Sequence, residues 1–261
     1  MDIRQSAIGI ACSILLLSGG AETSRAQEPL TVAVAANFAP VLERISNRFT
    51  RQTRIPVQVS VSSSGRLYAQ IRNGAPFDLF FSADQKRPQQ LFKEGRCEQP
   101  MVYVNGSVVL WSRRQEVCSQ AGSWQRAVRE TGPEKIGLAN PELAPYGMVT
   151  QKALVEEKLL DTVQDRLVFG NNVAQAFQYA ASGATGLSFI ALSLAHTPRG
   201  EKGCFLPVPE AGPVAQGACL IRTSKHRKAA EQFLAFMTSR ETASVLQQYG
   251  YTNKPANLNP K

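Results

Sequence analysis

Asn37, Ser64, Tyr146 and Val173 stand where the sequence reads four times as the end of a strand and the start of a helix. The segments are Ala35-Ala36-Asn37-Phe38, Ser62-Ser63-Ser64-Gly65, Ala144-Pro145-Tyr146-Gly147 and Asn171-Asn172-Val173. The first N–H groups of a helix have no intrahelical acceptor, and the helix dipole adds partial positive charge there. A helix start is thus suited to an anion. Two such starts in each half of the chain predict a cleft that holds one small anion. Ala36 and Phe38, on either side of Asn37, are additional candidates.

Each position also has a plainer reading. Asn37 is an ordinary N-cap, or an amide donor to a ligand. Ser64 has the same two readings, and Gly65 beside it permits close backbone approach. Pro145 suits a first helical position, where its missing N–H costs nothing. Tyr146 offers a phenol and an amide, or packs at a lobe edge. Val173 has only its amide to offer; otherwise it is core. None of the four is charged. A wall of donors suits a fully ionised tetrahedral oxyanion, whereas a protonated one such as hydrogen phosphate wants a carboxylate to accept its proton. Asp78 and Asp84 are the nearest acids, and Asp84 reads as a helix cap or turn former. Arg66 reads as extending into solvent, or as a charge that guards the cleft. No residue is expected to bind a metal directly, and no cofactor is expected.

Residues 1–26 read as a signal peptide. Arg4 precedes an apolar run from Ala7 to Leu17, and Ser24-Arg25-Ala26 supplies small residues before a cleavage point near Ala26-Gln27. The run is shorter than the roughly 20 residues a membrane span needs. The mature chain is expected in the periplasm, as a monomer. The full chain carries 29 Lys and Arg against 20 Asp and Glu, a net charge of +9. The leader holds two residues of each sign, so the mature charge is unchanged. The basic residues are scattered and not interleaved with aromatics, which argues against nucleic-acid binding. Cys97, Cys118, Cys204 and Cys219 remain after cleavage, an even number that suggests disulfides in an exported chain. Sequence-local pairing, Cys97 with Cys118 and Cys204 with Cys219, is the expectation. With no C-x-x-C and two histidines, a zinc site is not expected.

Stepping strands and helices along the chain gives two α/β units. Leu30 to Ala36, Ile55 to Val61 and Phe77 to Ser82 read as strands. Between them lie helices that start after Asn37, with Phe38, Val41, Leu42, Ile45 and Phe49 at helical spacing, and after Ser64. A short helix covers Pro88 to Gly95. This βαβαβα pattern predicts a parallel, doubly wound sheet. Val102 to Trp111 reads as a strand broken at Asn105-Gly106. A second unit follows: helix Trp124 to Glu130, strand Lys135 to Ala139, helix Tyr146 to Lys158, strand Val168 to Gly170, a helix with Val173, Phe177 and Ala180, and strand Gly186 to Leu192. Val214 to Arg222 is a strand, and two terminal helices are expected to return to the first unit. The organisation is two α/β lobes joined by a two-crossing hinge, the first lobe 27–103 plus 217–261 and the second 104–216. In open sheets ligands sit where strands end and helices begin.

Several segments together resemble the periplasmic molybdate-binding proteins of ABC transporters. They are Val34-Ala35-Ala36-Asn37-Phe38, the serine loop Ser62 to Gly65, Gly74-Ala75-Pro76-Phe77-Asp78 running on to Ser82-Ala83-Asp84, Ala139-Asn140-Pro141 running on to Ala144-Pro145-Tyr146-Gly147, and Tyr249-Gly250-Tyr251. The resemblance implies a type II periplasmic binding fold that captures molybdate or tungstate between its lobes and delivers it to a membrane permease. By position it implies ligand contacts from Asn37 and Ser64 in the first lobe and from Tyr146 and Val173 in the second. Asn37 replaces a serine common in another branch, and Ala191 stands near where some members have a tyrosine. Alternatives are a receptor for another tetrahedral oxyanion such as sulfate, or an exported enzyme. The chain has no G-x-S-x-G, H-E-x-x-H, Walker A or G-x-G-x-x-G motif.

Overall fold

The computed structural model describes residues 28–252. The expected leader and its cleavage point lie outside the described residues. Five strands form the first sheet: β1 (Leu30–Ala35), β2 (Val57–Ser62), β3 (Leu79–Phe81), β4 (Met101–Gly106) and, late in the chain, β10 (Val214–Leu220). The second sheet holds β5 (Val108–Ser112), β6 (Ile136–Ala139), β7 (Leu167–Gly170), β8 (Leu187–Ala191) and β9 (Cys204–Pro207). Their orders are β2-β1-β3-β10-β4 and β7-β6-β8-β5-β9. These sheets are the cores of two α/β lobes.

Each sheet is mixed, which corrects the parallel expectation. β1 runs parallel to β2 and β3, but β10 runs antiparallel to β3 and β4. Likewise β6 is parallel to β7 and β8, while β5 is antiparallel to β8 and β9. The βαβ units dictate the parallel pairs, and the strands that carry the chain between lobes are free to run the other way. The chain leaves the first sheet at Gly106 and enters the second at Val108; it returns between Pro207 and Val214. Val104–Gly106 and Val214–Gln216 pair with one another inside the first sheet.

The first-lobe helices are α1 (Ala39–Thr53), α2 (Ser64–Arg72) and α3 (Lys86–Lys93). The second lobe carries α4 (Gln115–Ala121), α5 (Trp124–Glu130), α6 (Pro145–Glu156), α7 (Leu160–Val163), α8 (Val173–Ser182) and α9 (Leu192–Ala195). Then come α10 (Arg227–Met237) and α11 (Arg240–Gln248), which pack on the first lobe. Phe233 of α10 meets Phe49 edge to face at 4.9 Å, and Val245 and Leu246 of α11 join the same core. In α1, Val41, Leu42, Ile45 and Phe49 are buried, as their spacing requires. Short, polar α4 and edge strand β9 carry too little periodicity to be read from sequence.

The disulfide differs from the sequence-local expectation. Cys118 of α4 is bonded to Cys204 of β9, with Cα atoms 6.1 Å apart. Cys97 and Cys219 are buried in the first lobe. The lobes keep Cys97 apart from Cys118 and Cys204 apart from Cys219.

Candidate functional site

The four helix starts converge on one small cavity between the lobes, about 10 Å³, room for little more than one water-sized sphere. Asn37, Ser64, Tyr146 and Val173 all line it, at 0%, 1%, 3% and 3% exposure. Ala36 lines it too. Phe38 does not; its ring packs into the first-lobe core against Tyr103 at 4.9 Å and Tyr251 at 5.4 Å. A residue one step past Asn37 in the turn points its side chain to the core face instead.

Local chemistry sets which groups face the cavity. Ser63, not Ser64, caps α2, its Oγ accepting from Arg66 N at 3.4 Å. Ser64 becomes the first helical residue. Its Oγ accepts the Ala83 N–H at 2.9 Å, which leaves its own O–H to donate. Pro145 opens α6 and places Tyr146 in the first turn. Asn172 caps α8 through the Gln175 N–H at 3.0 Å, so Val173 follows as the first helical residue. The backbone N–H groups of Asn37, Ser64, Tyr146 and Val173 have no acceptor among the described residues. No charged side chain among the described residues lines the cavity.

Asn37 is not the cap of α1, a correction to that reading. Its side chain turns into a buried polar cluster and donates from Nδ2 to Gln216 Oε1 and to the Tyr251 hydroxyl, both at 2.9 Å. Its Oδ1 is buried without a partner among the described residues, an acceptor that a water molecule can satisfy but a fully ionised oxyanion, which has no proton to give, cannot. Gln216 also accepts from the Tyr103 hydroxyl at 3.0 Å and donates through Nε2 to the Tyr146 oxygen at 3.2 Å. Ser193, on α9 of the second lobe, donates to the Asn37 carbonyl at 2.7 Å, and the Tyr251 hydroxyl lies 3.0 Å from that carbonyl. Burial, with Tyr251 alongside, pushes the Tyr146 phenol well above its ordinary value; burial does the same to Tyr103 and lifts Tyr251 to about 12. All three keep a proton to donate near neutral pH.

Gln216 was missed from sequence. Its only signal is a lone amide in the otherwise apolar run Val214–Leu220. Gly106, also missed, is fixed by sterics: a Cβ there falls on the Tyr146 hydroxyl and 2.7 Å from Gln216 Nε2.

Three contacts tie the lobes together at the rim. The Gly65 N–H donates to the Leu143 carbonyl at 2.9 Å. Arg66 Nη2 donates to Asn171 Oδ1 at 2.7 Å, so Arg66 bridges the cleft and does not simply extend into solvent. Arg87 reaches the Glu142 carbonyl at 3.3 Å while paired with Asp84. Asp84 accepts from the Arg87 N–H at 3.0 Å, the turn role its sequence predicts. Asp78 lies away from the cavity; its carboxylate accepts from Thr31 N at 2.7 Å and Ser224 Oγ at 2.7 Å.

Comparison with known proteins agrees with the two-lobed fold. The molybdate-binding protein ModA of Rhodobacter capsulatus is 32% identical over 246 residues, 94% of this chain and 96% of the relative. ModA of Azotobacter vinelandii is 31% identical, covering 96% of this chain and 99% of the relative. The solved structure of the Azotobacter vinelandii periplasmic molybdate-binding protein superposes with a TM-score of 0.80 at 33% identity, over 87% of this chain and all of the other. The profile of the bacterial extracellular solute-binding proteins matches residues 30–252, and the chain belongs to that family.

Proposed function

We propose that this chain captures molybdate or tungstate between its lobes and hands it to the membrane permease of an ABC transporter. The observation that carries the reading is the set of four acceptorless backbone N–H groups, from Asn37, Ser64, Tyr146 and Val173, around one uncharged cavity. The hydroxyls of Ser64 and Tyr146 add two more donors. A fully ionised tetrahedral dianion accepts at every oxygen, so it matches a wall made of donors. Low dielectric around the cavity strengthens each of these bonds. The cavity, about 10 Å³ as it stands, must widen to admit such an anion, and selection against sulfate, an equally charged tetrahedron, rests on the size it then reaches.

The name of the Rhodobacter and Azotobacter relatives supports the ligand class, and family membership supports a binding role without catalysis. The oxyanion is cargo, held by N–H and O–H donors with no protein atom bound to the metal. The export leader at 1–26, a periplasmic location and a monomeric state belong to the same proposal. So does the division into a first lobe of 27–103 plus 217–261 and a second lobe of 104–216, with the paired strand ends Val104–Gly106 and Val214–Gln216 at the hinge.

Replacing Ser64 and Tyr146 by alanine tests the site. Each removes a hydroxyl donor while leaving the backbone N–H. Molybdate affinity should fall for both variants, and the far-ultraviolet spectrum should be retained. Unchanged affinity in both would put the ligand elsewhere.

A further inference from the structure

The structure assigns Cys97 and Cys219 to each other: we propose that they form a second disulfide in the exported protein. Cys97 sits just before β4 and makes an isolated antiparallel bridge with Ile221, just past β10. That bridge is flanked by Glu98 N–H to the Leu220 carbonyl at 2.8 Å and Arg222 N–H to the Arg96 carbonyl at 2.9 Å. Cys97 and Ile221 are therefore directly opposed and project to one face. Cys219 lies two residues before Ile221 and projects to that same face, as Cys97's diagonal neighbour.

Both cysteines belong to one apolar cluster with Leu67, Ile71, Phe80 and Leu91, at 0% and 1% exposure. The Cys97 thiol donates to the Pro88 carbonyl at 3.5 Å, and its nearness together with burial raises the Cys219 thiol. No group of three or more metal-binding side chains occurs among the described residues, so a shared metal does not account for the pair. Cys118 and Cys204 are already bonded. The remaining pair is thus matched by position as well as by count.

The chemistry is dithiol–disulfide exchange with an oxidised dithiol donor of the exporting compartment. The thiolate of one cysteine attacks the donor's disulfide and forms a mixed disulfide. The second cysteine's thiolate then attacks that bond and displaces the donor as a dithiol. Two S–H bonds are replaced by one S–S bond here, the donor's S–S becomes two S–H, and the two protons pass to the donor. A buried thiol with a raised pKa is a poor nucleophile. Exchange is thus confined to folding, before Leu67, Phe80 and Leu91 close over the pair. The product joins the first-lobe roots of the two strands that cross to the second lobe. The Cys118–Cys204 ring then nests inside the Cys97–Cys219 ring, and the whole second lobe hangs from a covalently closed base.

The test is a non-reducing peptide map of the full chain exported by a bacterial host and purified without reductant, with thiols blocked by N-ethylmaleimide in guanidinium before digestion. The proposal expects one cross-linked species that contains Cys97 and Cys219, and no maleimide on either. Reduction should separate the two peptides and expose both thiols. Maleimide on both residues, or a cross-link of either to Cys118 or Cys204, would overturn it. The result is independent of which oxyanion the cleft binds and needs only that the protein is exported.

Discussion

Replacing Gly65 with alanine separates closure of the lobes from the stability of each lobe. Gly65 lies in the first turn of α2 and is not among the positive-φ glycines, so its backbone suits alanine. There, glycine to alanine should favour the helix by about 0.5–1 kcal/mol. The new Cβ, however, meets the Leu143 carbonyl oxygen at 2.9 Å, inside ordinary contact, and Arg87 Nη2 at 3.2 Å. The arginine can swing aside, but the carbonyl is backbone of the opposite lobe. The rim must open by a few tenths of an ångström. That weakens the Gly65 N–H to Leu143 bond, which contributes about 1 kcal/mol net, and adds strain of about the same size. Together these amount to about 1–2 kcal/mol against the closed, liganded state, or roughly a 5- to 30-fold weaker Kd. The ligand-free protein should melt at the same temperature or slightly higher. Calorimetric titration with molybdate and thermal unfolding without ligand read the two effects separately. Unchanged affinity, or a parallel fall in ligand-free stability, would refute the assignment of Gly65 to lobe closure.

Other perturbations follow from the same geometry. Gly106→Ala drives a methyl into the Tyr146 hydroxyl and Gln216, so urea unfolding should show a loss of about 2–3 kcal/mol; an unchanged midpoint would contradict the packing described. Arg66→Ala removes an exposed bond to Asn171 and should raise the molybdate off-rate about 2- to 5-fold in stopped flow; an unchanged off-rate would dismiss the bridge. His226 is held by Glu28 and by Asp78, which together raise its pKa. Its stabilising effect is therefore complete below its unfolded value of about 6.5 and fades as pH rises through the higher folded value. His226→Gln should cost stability at pH 5.5 and little at pH 9, as measured by urea midpoints, and a pH-independent difference would reject the pairing. Asp78 has the opposite sign: burial raises its pKa, but hydrogen bonds from Ser224 and Thr31 outweigh that and lower it, so its contribution is lost as pH falls below about 4.

The fold was legible where local chemistry decides it. The spacing of Val41, Leu42, Ile45 and Phe49 and the punctuation at Ser64, Pro145 and Asn172 are short-range signals, and the elements follow them. What sequence could not show was decided by partners far along the chain. Asn37 looks like a cap, yet Gln216, 179 residues away, and Tyr251 compete for its amide and win. Arg66 looks like a solvent arginine because Asn171 is brought to it only by the docking of the lobes. The direction of β10 and the Cys118–Cys204 pairing depend on topology, which local patterning does not encode. Asn105-Gly106 reads only as a break in a strand, since the need for a bare Cα at Gly106 comes from the Tyr146 hydroxyl.

In the proposed function, an uncharged wall of N–H and O–H donors holds a fully ionised tetrahedral oxyanion of molybdate size. Calorimetric titration of the protein with molybdate, tungstate, sulfate and phosphate separates these ligands. Saturable one-to-one binding of molybdate and tungstate, much tighter than that of sulfate or phosphate, is the expected result. No heat with molybdate or tungstate, alongside clear binding of sulfate or phosphate, would contradict it.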